Sequence, residues 1–125
     1  MCLDIVKKTF SGKSKKIQIG YKVFSERQYN NKTYLGFQCY GEAVEFNKWL
    51  TAKTYTYTEI NNYAPGFHIL KTRKDAVTFI RNFNASAPSK IVRVRYKGVL
   101  AEGAQYEANA VVAKLMYVPK PKEKR

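Results

Sequence analysis

The chain has 125 residues, 45% of them hydrophobic, and a formal net charge of +14 from 23 Lys and Arg against 9 Asp and Glu. This length suits one domain with one core, and the apolar content excludes an intrinsically disordered chain. Cys2 and Cys39 are too few for a disulfide framework, and with a single histidine they offer no zinc-binding spacing. We therefore expect reduced thiols, no metal and no cofactor.

The chain carries no pattern that addresses it to a membrane or to secretion. No apolar run approaches 18 residues, and the acidic Asp4 stands where a signal peptide would carry basic residues. We therefore expect an intracellular protein. Its positive charge favours a polyanionic partner, either nucleic acid or an acidic protein, although a merely solvating basic surface remains an alternative.

The first half of the chain predicts strands. Residues 3–10 are a possible strand, and residues 16–24 alternate with a period of two, so that Ile17, Ile19, Tyr21 and Val23 share one face of a half-buried strand. Residues 29–32 (YNNK) predict a turn, and residues 33–40 a partner strand that completes a hairpin. Residues 42–50 suggest a short helical turn, and residues 51–58 (TAKTYTYT) an exposed strand or extended loop.

The second half predicts one principal helix, about residues 72–84, followed by two strands. Thr72 and Asp75 form an acidic variant of the capping box, and apolar residues then recur at helical spacing. Strands are predicted at 90–99 and 106–118, with residues 101–105 connecting them. The pattern indicates an α+β domain over residues 1–118, with five or six strands in a mainly antiparallel twisted sheet. Residues 119–125, with two prolines and four cations, predict a disordered basic tail.

The single histidine, His68, lies between Phe67 and Ile69 just before the helix cap. General acid–base catalysis would need a partner that orients its ring, and no local Ser-His-Asp or Cys-His spacing supplies one. We therefore interpret His68 as a structural residue bonded to backbone near the cap and name no catalytic residue. A small transferase or hydrolase that uses His68 remains the least favoured reading.

A ladder of cations is the clearest candidate for a binding site. Arg93, Arg95 and Lys97 alternate with Val92, Val94 and Tyr96, so one face of the strand carries cations at intervals of about 6.6–6.8 Å, close to the spacing of phosphates along a nucleic-acid strand. Charged residues also belong on the solvent face of any half-buried sheet. Tyrosines beside cations stack unpaired bases or enrich protein interfaces. The predicted binding residues are Lys13, Lys15, Lys16, Lys22, Arg93, Arg95, Lys97, Tyr55 and Tyr57.

Several short motifs recur together in this order: Met1-Cys2-Leu3, Gly20-Tyr21-Lys22-Val23, Pro65-Gly66-Phe67-His68, the stretch KTRKDA from Lys71, Ile91-Val92-Arg93-Val94, and the stretch VVAKLM from Val111. With them the chain resembles a group of small uncharacterised proteins encoded by bacteriophages, large DNA viruses and bacteria. The resemblance spans most of the chain except residues 51–62, and it implies a viral context without an activity or a catalytic residue.

Charge and resemblance together favour a small, basic, non-enzymatic viral protein in the host cell cytoplasm. The leading expectation is that it binds nucleic acid or a nucleoprotein complex. The alternative is a protein inhibitor of a host defence factor, of the anti-CRISPR type, that docks on an acidic partner through a tyrosine-rich surface. The partner and the oligomeric state are open at this point.

Overall fold

A computed structural model of the chain describes residues 3–36, 43–52, 66–83 and 88–120. Seven strands and one helix lie within these ranges, in the order β1 (Ile5–Thr9), β2 (Gln18–Tyr29), β3 (Lys32–Gly36), β4 (Trp49–Thr51), β5 (Phe67–Leu70), α1 (Arg73–Phe83), β6 (Ser89–Gln105) and β7 (Ala108–Tyr117). In the same ranges, no helix has the length and apolar character needed to cross a bilayer.

The predicted α+β class is confirmed, since the strands form one antiparallel sheet in the order β1-β6-β2-β5-β7-β4, with β3 paired to β2. Strand β6 pairs with β2 and also with β7, and β5 joins β7 to β2. The hydrogen-bonded path through β2, β5, β7 and β6 therefore closes on itself, so the sheet is strongly curled. The seven strands exceed the predicted five or six.

The ring of strands closes at a narrow seam between β2 and β5. One residue pair, Tyr21 with Leu70, joins the two strands, and the Lys22 ammonium adds a hydrogen bond of 2.7 Å to the carbonyl oxygen of His68. Gly20 makes this close approach possible, because a Cβ there would lie 2.5 Å from Cγ2 of Ile69 and 3.0 Å from the carbonyl oxygen of Leu70. A glycine inside a strand often marks such a contact.

Two apolar clusters fill the fold, one on each face of the curled sheet. In the first, Ala76 and Phe79 of α1 pack against β2, β5 and β7 at Val23, Leu70 and Val112. The second cluster contains Phe24, Ile69, Val94, Val111 and Met116 without any residue of the helix. The helix therefore covers part of one face of the sheet, as predicted, and leaves the rest of that face uncovered by α1.

The predicted cap of the helix is confirmed in detail. Thr72 Oγ1 accepts a hydrogen bond of 3.1 Å from the backbone N–H of Asp75, and Asp75 Oδ2 accepts one of 3.2 Å from the N–H of Thr72. Asp75 Oδ1 also accepts a 3.1 Å hydrogen bond from the N–H of Asn109. One carboxylate thus begins the helix and ties it to the start of β7.

Two of the predicted elements are wrong. Residues 101–105 continue β6 instead of connecting two strands, and the turn lies at Tyr106 and Glu107, whose φ angles are 48° and 67°. Residues 43–50 form no helical turn. Ala43 bridges to Gly36, Asn47 has a φ of 60°, and Trp49 begins strand β4, which pairs with β7.

The hairpin and the first strand follow the prediction more closely. Asn30 and Asn31 turn the chain with φ angles of 50° and 63°, as expected for a tight hairpin between β2 and β3. The predicted strands at 3–10 and 33–40 are observed as β1 and β3 within their described parts. Residues 37–40, 53–58 and 121–125, including most of the predicted tail, lie outside the described ranges.

Candidate nucleic-acid interface

The cationic ladder of β6 alternates with the core as the sequence predicts. Val92, Val94 and Tyr96 are buried, whereas Arg93 and Arg95 are exposed and Lys97 is partly exposed. The three cations occupy alternate positions of one continuous strand, so the backbone positions of successive cations lie about 6.6–6.8 Å apart. The ladder is thus a real surface feature of the fold.

Strand pairing places apolar and aromatic residues beside this ladder. Arg95 lies opposite Ile19 of β2 on one side and opposite Tyr117 of β7 on the other, and Tyr117 in turn lies opposite Trp49 of β4. Directly paired residues in a sheet project from the same face. A row of four side chains therefore crosses four strands. We call this row, together with Arg93 and Lys97, the cation–aromatic face.

Contacts within this face hold the cations over the rings. The Arg95 guanidinium lies 5.7 Å from the centre of the Tyr117 ring, and Lys97 Nζ lies 4.3 Å from the centre of the Trp49 ring. The two rings meet edge to face with their centroids 5.7 Å apart. Such cation–π and aromatic contacts limit the freedom of long side chains, so the face presents its charges in a restricted arrangement.

One border of the face is apolar and open to solvent. Ile17 is 54% exposed and Ile19 is 49% exposed, although the sequence predicts both on a half-buried face with Tyr21 and Val23. The two isoleucines are exposed because α1 is short. The helix packs against the cluster that contains Val23 and Tyr21, and this cluster does not include Ile19. These isoleucines are therefore surface residues beside cations.

Three of the predicted lysines lie in the connection between β1 and β2. Lys13, Lys15 and Lys16 are exposed there. The backbone N–H of Gly98 donates a 3.0 Å hydrogen bond to the carbonyl oxygen of Ser14, which holds this connection beside β6 just after Lys97. The three lysines thus belong to a segment that is held against Gly98, the residue after Lys97.

The carboxylates of the described ranges do not neutralise the ladder. The ion pairs recorded there join Lys48 to Glu45 and Lys71 to Glu102, and neither uses a ladder cation. Asp75 is bound to Thr72 and Asn109, and Asp4 Oδ2 accepts a 2.6 Å hydrogen bond from the N–H of Tyr106. Asp75 and Asp4 thus bind backbone groups at the helix cap and the β6–β7 turn, whereas Glu45 binds Lys48, the residue before Trp49.

The remaining predicted binding residues have different locations. Lys22 lies opposite Val92, a buried residue of β6. Its ammonium donates a hydrogen bond to the carbonyl oxygen of His68 at the β2–β5 seam, so this lysine has a structural role within the fold. Tyr55 and Tyr57 lie outside the described residues.

Conversely, three residues of the face were not predicted from the sequence as binding residues: Ile19, Trp49 and Tyr117. Tyr117 lies within the strand predicted at residues 106–118, but its pairing with Trp49 joins distant segments and leaves no local signal in the sequence.

A cleft of about 250 Å³ opens beneath the β1–β2 connection, on the other side of β6. Its lining includes Ser11, Ser14, Lys71, Tyr96 and Glu102, and Lys71 and Glu102 form an ion pair across it. Burial, followed by the nearby charge of Glu102, raises the pKa of the Tyr96 phenol. The described lining does not include His68, so the cleft does not unite the histidine with a carboxylate.

His68 lies within β5, paired with Val112. The residue as a whole is partly exposed, but its Nε2 atom is buried and has no hydrogen-bond partner among the described residues. Burial, with a further contribution from the Lys22 charge, lowers the pKa of His68 to about 3. The imidazole is therefore neutral at physiological pH. The backbone hydrogen bond predicted for the ring is not made by Nε2.

Neither the side chains nor the comparisons identify a known activity. Among the residues described, no three His, Cys, Asp or Glu side chains come together as a set of metal ligands. Comparison of the chain with protein-family models, with curated proteins and with solved structures found no match.

Proposed function

We propose that the protein binds nucleic acid through the cation–aromatic face and is a non-enzymatic binding protein of viral context. One observation carries the proposal: three cations stand at phosphate-like intervals beside aromatic side chains, and no ion pair of the described ranges neutralises them. Exposed lysines at 13, 15 and 16 lie in the neighbouring β1–β2 connection and add to the net positive charge.

The physical basis of binding is the neutralisation of phosphates. Each Lys or Arg that contacts a phosphate releases condensed counterions, so affinity falls as salt concentration rises. Arginine also presents a planar fork that fits phosphate oxygens. The high net charge of the chain, formally +14, would attract a polyanion before contact and speed the encounter.

The test is a salt titration of binding to a labelled oligonucleotide by fluorescence anisotropy. With the three ladder cations and the neighbouring lysines engaged, log K should fall by about 0.7 to 0.9 per phosphate contacted for each tenfold rise in salt. The double variant Arg93→Gln/Arg95→Gln should bind more weakly at low salt and should reduce this slope by about 1.4 to 1.8.

A matched control removes the same charge from another surface. Lys74 and Arg81 are exposed on α1, two helical turns apart, and the variant Lys74→Gln/Arg81→Gln lowers the net charge equally. Its slope should stay close to that of the wild type. Equal losses in both double variants would mean that only net charge matters, and a salt-independent affinity would reject the proposal. Recovery of one acidic host protein after nuclease treatment, without nucleic-acid binding, would favour the inhibitor function instead.

A further inference from the structure

We infer that the ligand of the cation–aromatic face is a single-stranded nucleic acid, whose unpaired bases lie on the side chains of Trp49, Tyr117 and Ile19 after Lys97 and Arg95 have moved from the two rings to its phosphates. This inference rests on the proposed function and deepens it by naming the form of the nucleic acid. A face built for phosphates alone would need only the cations, so its apolar part requires a separate explanation.

The dimensions of the face suit a short stretch of extended chain. The row from Ile19 through Arg95 and Tyr117 to Trp49 spans three gaps between strands, which is about 14 Å, and the ladder from Arg93 to Lys97 spans about 13 Å. Such an area accommodates roughly two or three nucleotides with their bases turned towards the sheet. Strand β4, which carries Trp49, is the last strand in the hydrogen-bonded order.

The chemistry of the face separates single strands from duplexes. In a duplex the base faces are stacked on one another, so only phosphates, sugars and groove edges are available. Docking a duplex here would place Ile19, which is 49% exposed, and the rings of the row against a charged backbone. Unpaired bases have two free faces, and stacking on aromatic side chains contributes about 1–3 kcal/mol per base.

The single tryptophan provides a direct probe of base stacking. Trp49 is the chain's only tryptophan, so its fluorescence reports on this face alone. We expect oligothymidylate or oligouridylate to quench it and to bind about tenfold more tightly than a duplex of equal length at the same salt. Inorganic polyphosphate, which has phosphates without bases, should bind without comparable quenching. The two oligomers distinguish DNA from RNA, and either one satisfies the inference.

Two variants test the apolar part of the face without altering its charge. Ile19→Ser and Trp49→Leu, the second followed by anisotropy, should each weaken single-strand binding about fivefold to tenfold and leave duplex binding unchanged. Val77→Ser is the matched control for Ile19→Ser, because Val77 is a 43% exposed apolar residue on α1. If Trp49→Leu loses the fold by circular dichroism, Ile19→Ser alone decides the test.

The outcomes separate this inference from the proposed function. Equal or tighter binding of the duplex, or polyphosphate quenching that matches the oligonucleotides, would overturn the single-strand assignment while nucleic-acid binding stood. Failure to bind any of the nucleic acids would overturn both. A preference for single strands that is lost in Ile19→Ser and kept in Val77→Ser would establish the single-strand assignment.

Discussion

At the scale of single residues, His68 carries a consequence for stability. Its Nε2 is buried without a partner among the described residues, and its pKa is lowered to about 3, below the value of about 6.5 for an exposed histidine. Between these two values the unfolded chain binds a proton that the folded chain excludes. The free energy of unfolding should therefore be greatest above pH 6.5 and should decrease as the pH falls towards 3.

We predict that the protein loses about 1–2 kcal/mol of its free energy of unfolding between pH 7 and pH 5 because of this one residue. Urea denaturation of the wild type and of His68→Leu at the two pH values measures the difference, since leucine has no proton to bind. Carboxylates titrate mainly below pH 5 and act in both proteins. A wild type with the same pH dependence as His68→Leu would contradict the low pKa.

At the scale of elements, α1 was predicted within one residue at each end because its signals are local. Thr72 and Asp75 are three positions apart and make their hydrogen bonds within one turn, so the sequence contains both partners side by side. The strand at residue 49 had no such signal. Its partners are at residues 115–117, and pairing between distant segments is set by the whole sheet and not by the local sequence.

The same distinction explains the errors in β6 and in the candidate site. Residues 101–105 are small or polar and lack strand propensity, yet they pair with β7 in the β6–β7 hairpin, and Gly103 lets the backbone of Ile5 in β1 approach closely on the other side. The ladder of cations was predicted because alternation within one strand is visible in sequence. Its aromatic neighbours were not, because Tyr117 and Trp49 join Arg95 only through the order and register of three strands.

The helix cap gives the prediction at this scale. Thr72→Ala removes the hydroxyl that accepts the Asp75 N–H and should lower the free energy of unfolding by about 1 kcal/mol. Thr78→Ala is the matched control, because Thr78 lies inside α1, where its hydroxyl bonds the carbonyl of Lys74 and alanine has the better helix propensity. Thermal unfolding followed by circular dichroism compares the two. A larger loss in Thr78→Ala than in Thr72→Ala would show that the cap contributes little.

At the scale of the whole molecule, the uneven distribution of charge links stability to binding. Asp75 and Asp4 accept backbone hydrogen bonds at the helix cap and the β6–β7 turn, whereas the ladder cations lie side by side without a paired carboxylate in the described ranges. Like charges at this spacing repel through solvent, and a bound polyanion would remove the repulsion. The surface proposed to bind nucleic acid is thus also one that destabilises the unliganded fold at low salt.

We therefore predict that Arg93→Gln has opposite effects on stability and binding. Near 0.01 M salt it should raise the free energy of unfolding by a few tenths of a kcal/mol, because one repulsive charge two positions from Arg95 on the same face of β6 is gone, while affinity for nucleic acid falls. Near 1 M salt, where the screening length is about 3 Å, the gain in stability should vanish. Urea denaturation at the two salt concentrations measures it.

The control for this last prediction is Arg81→Gln, which removes the same charge from the last turn of α1, where a cation favours the helix dipole. Its stability at low salt should stay unchanged or fall slightly, and its affinity for nucleic acid should change little. The contrast matters because net charge alone would give both variants the same response. A gain in stability for Arg81→Gln equal to that for Arg93→Gln would mean that repulsion is spread over the whole surface, and the ladder would then lose its distinct electrostatic role.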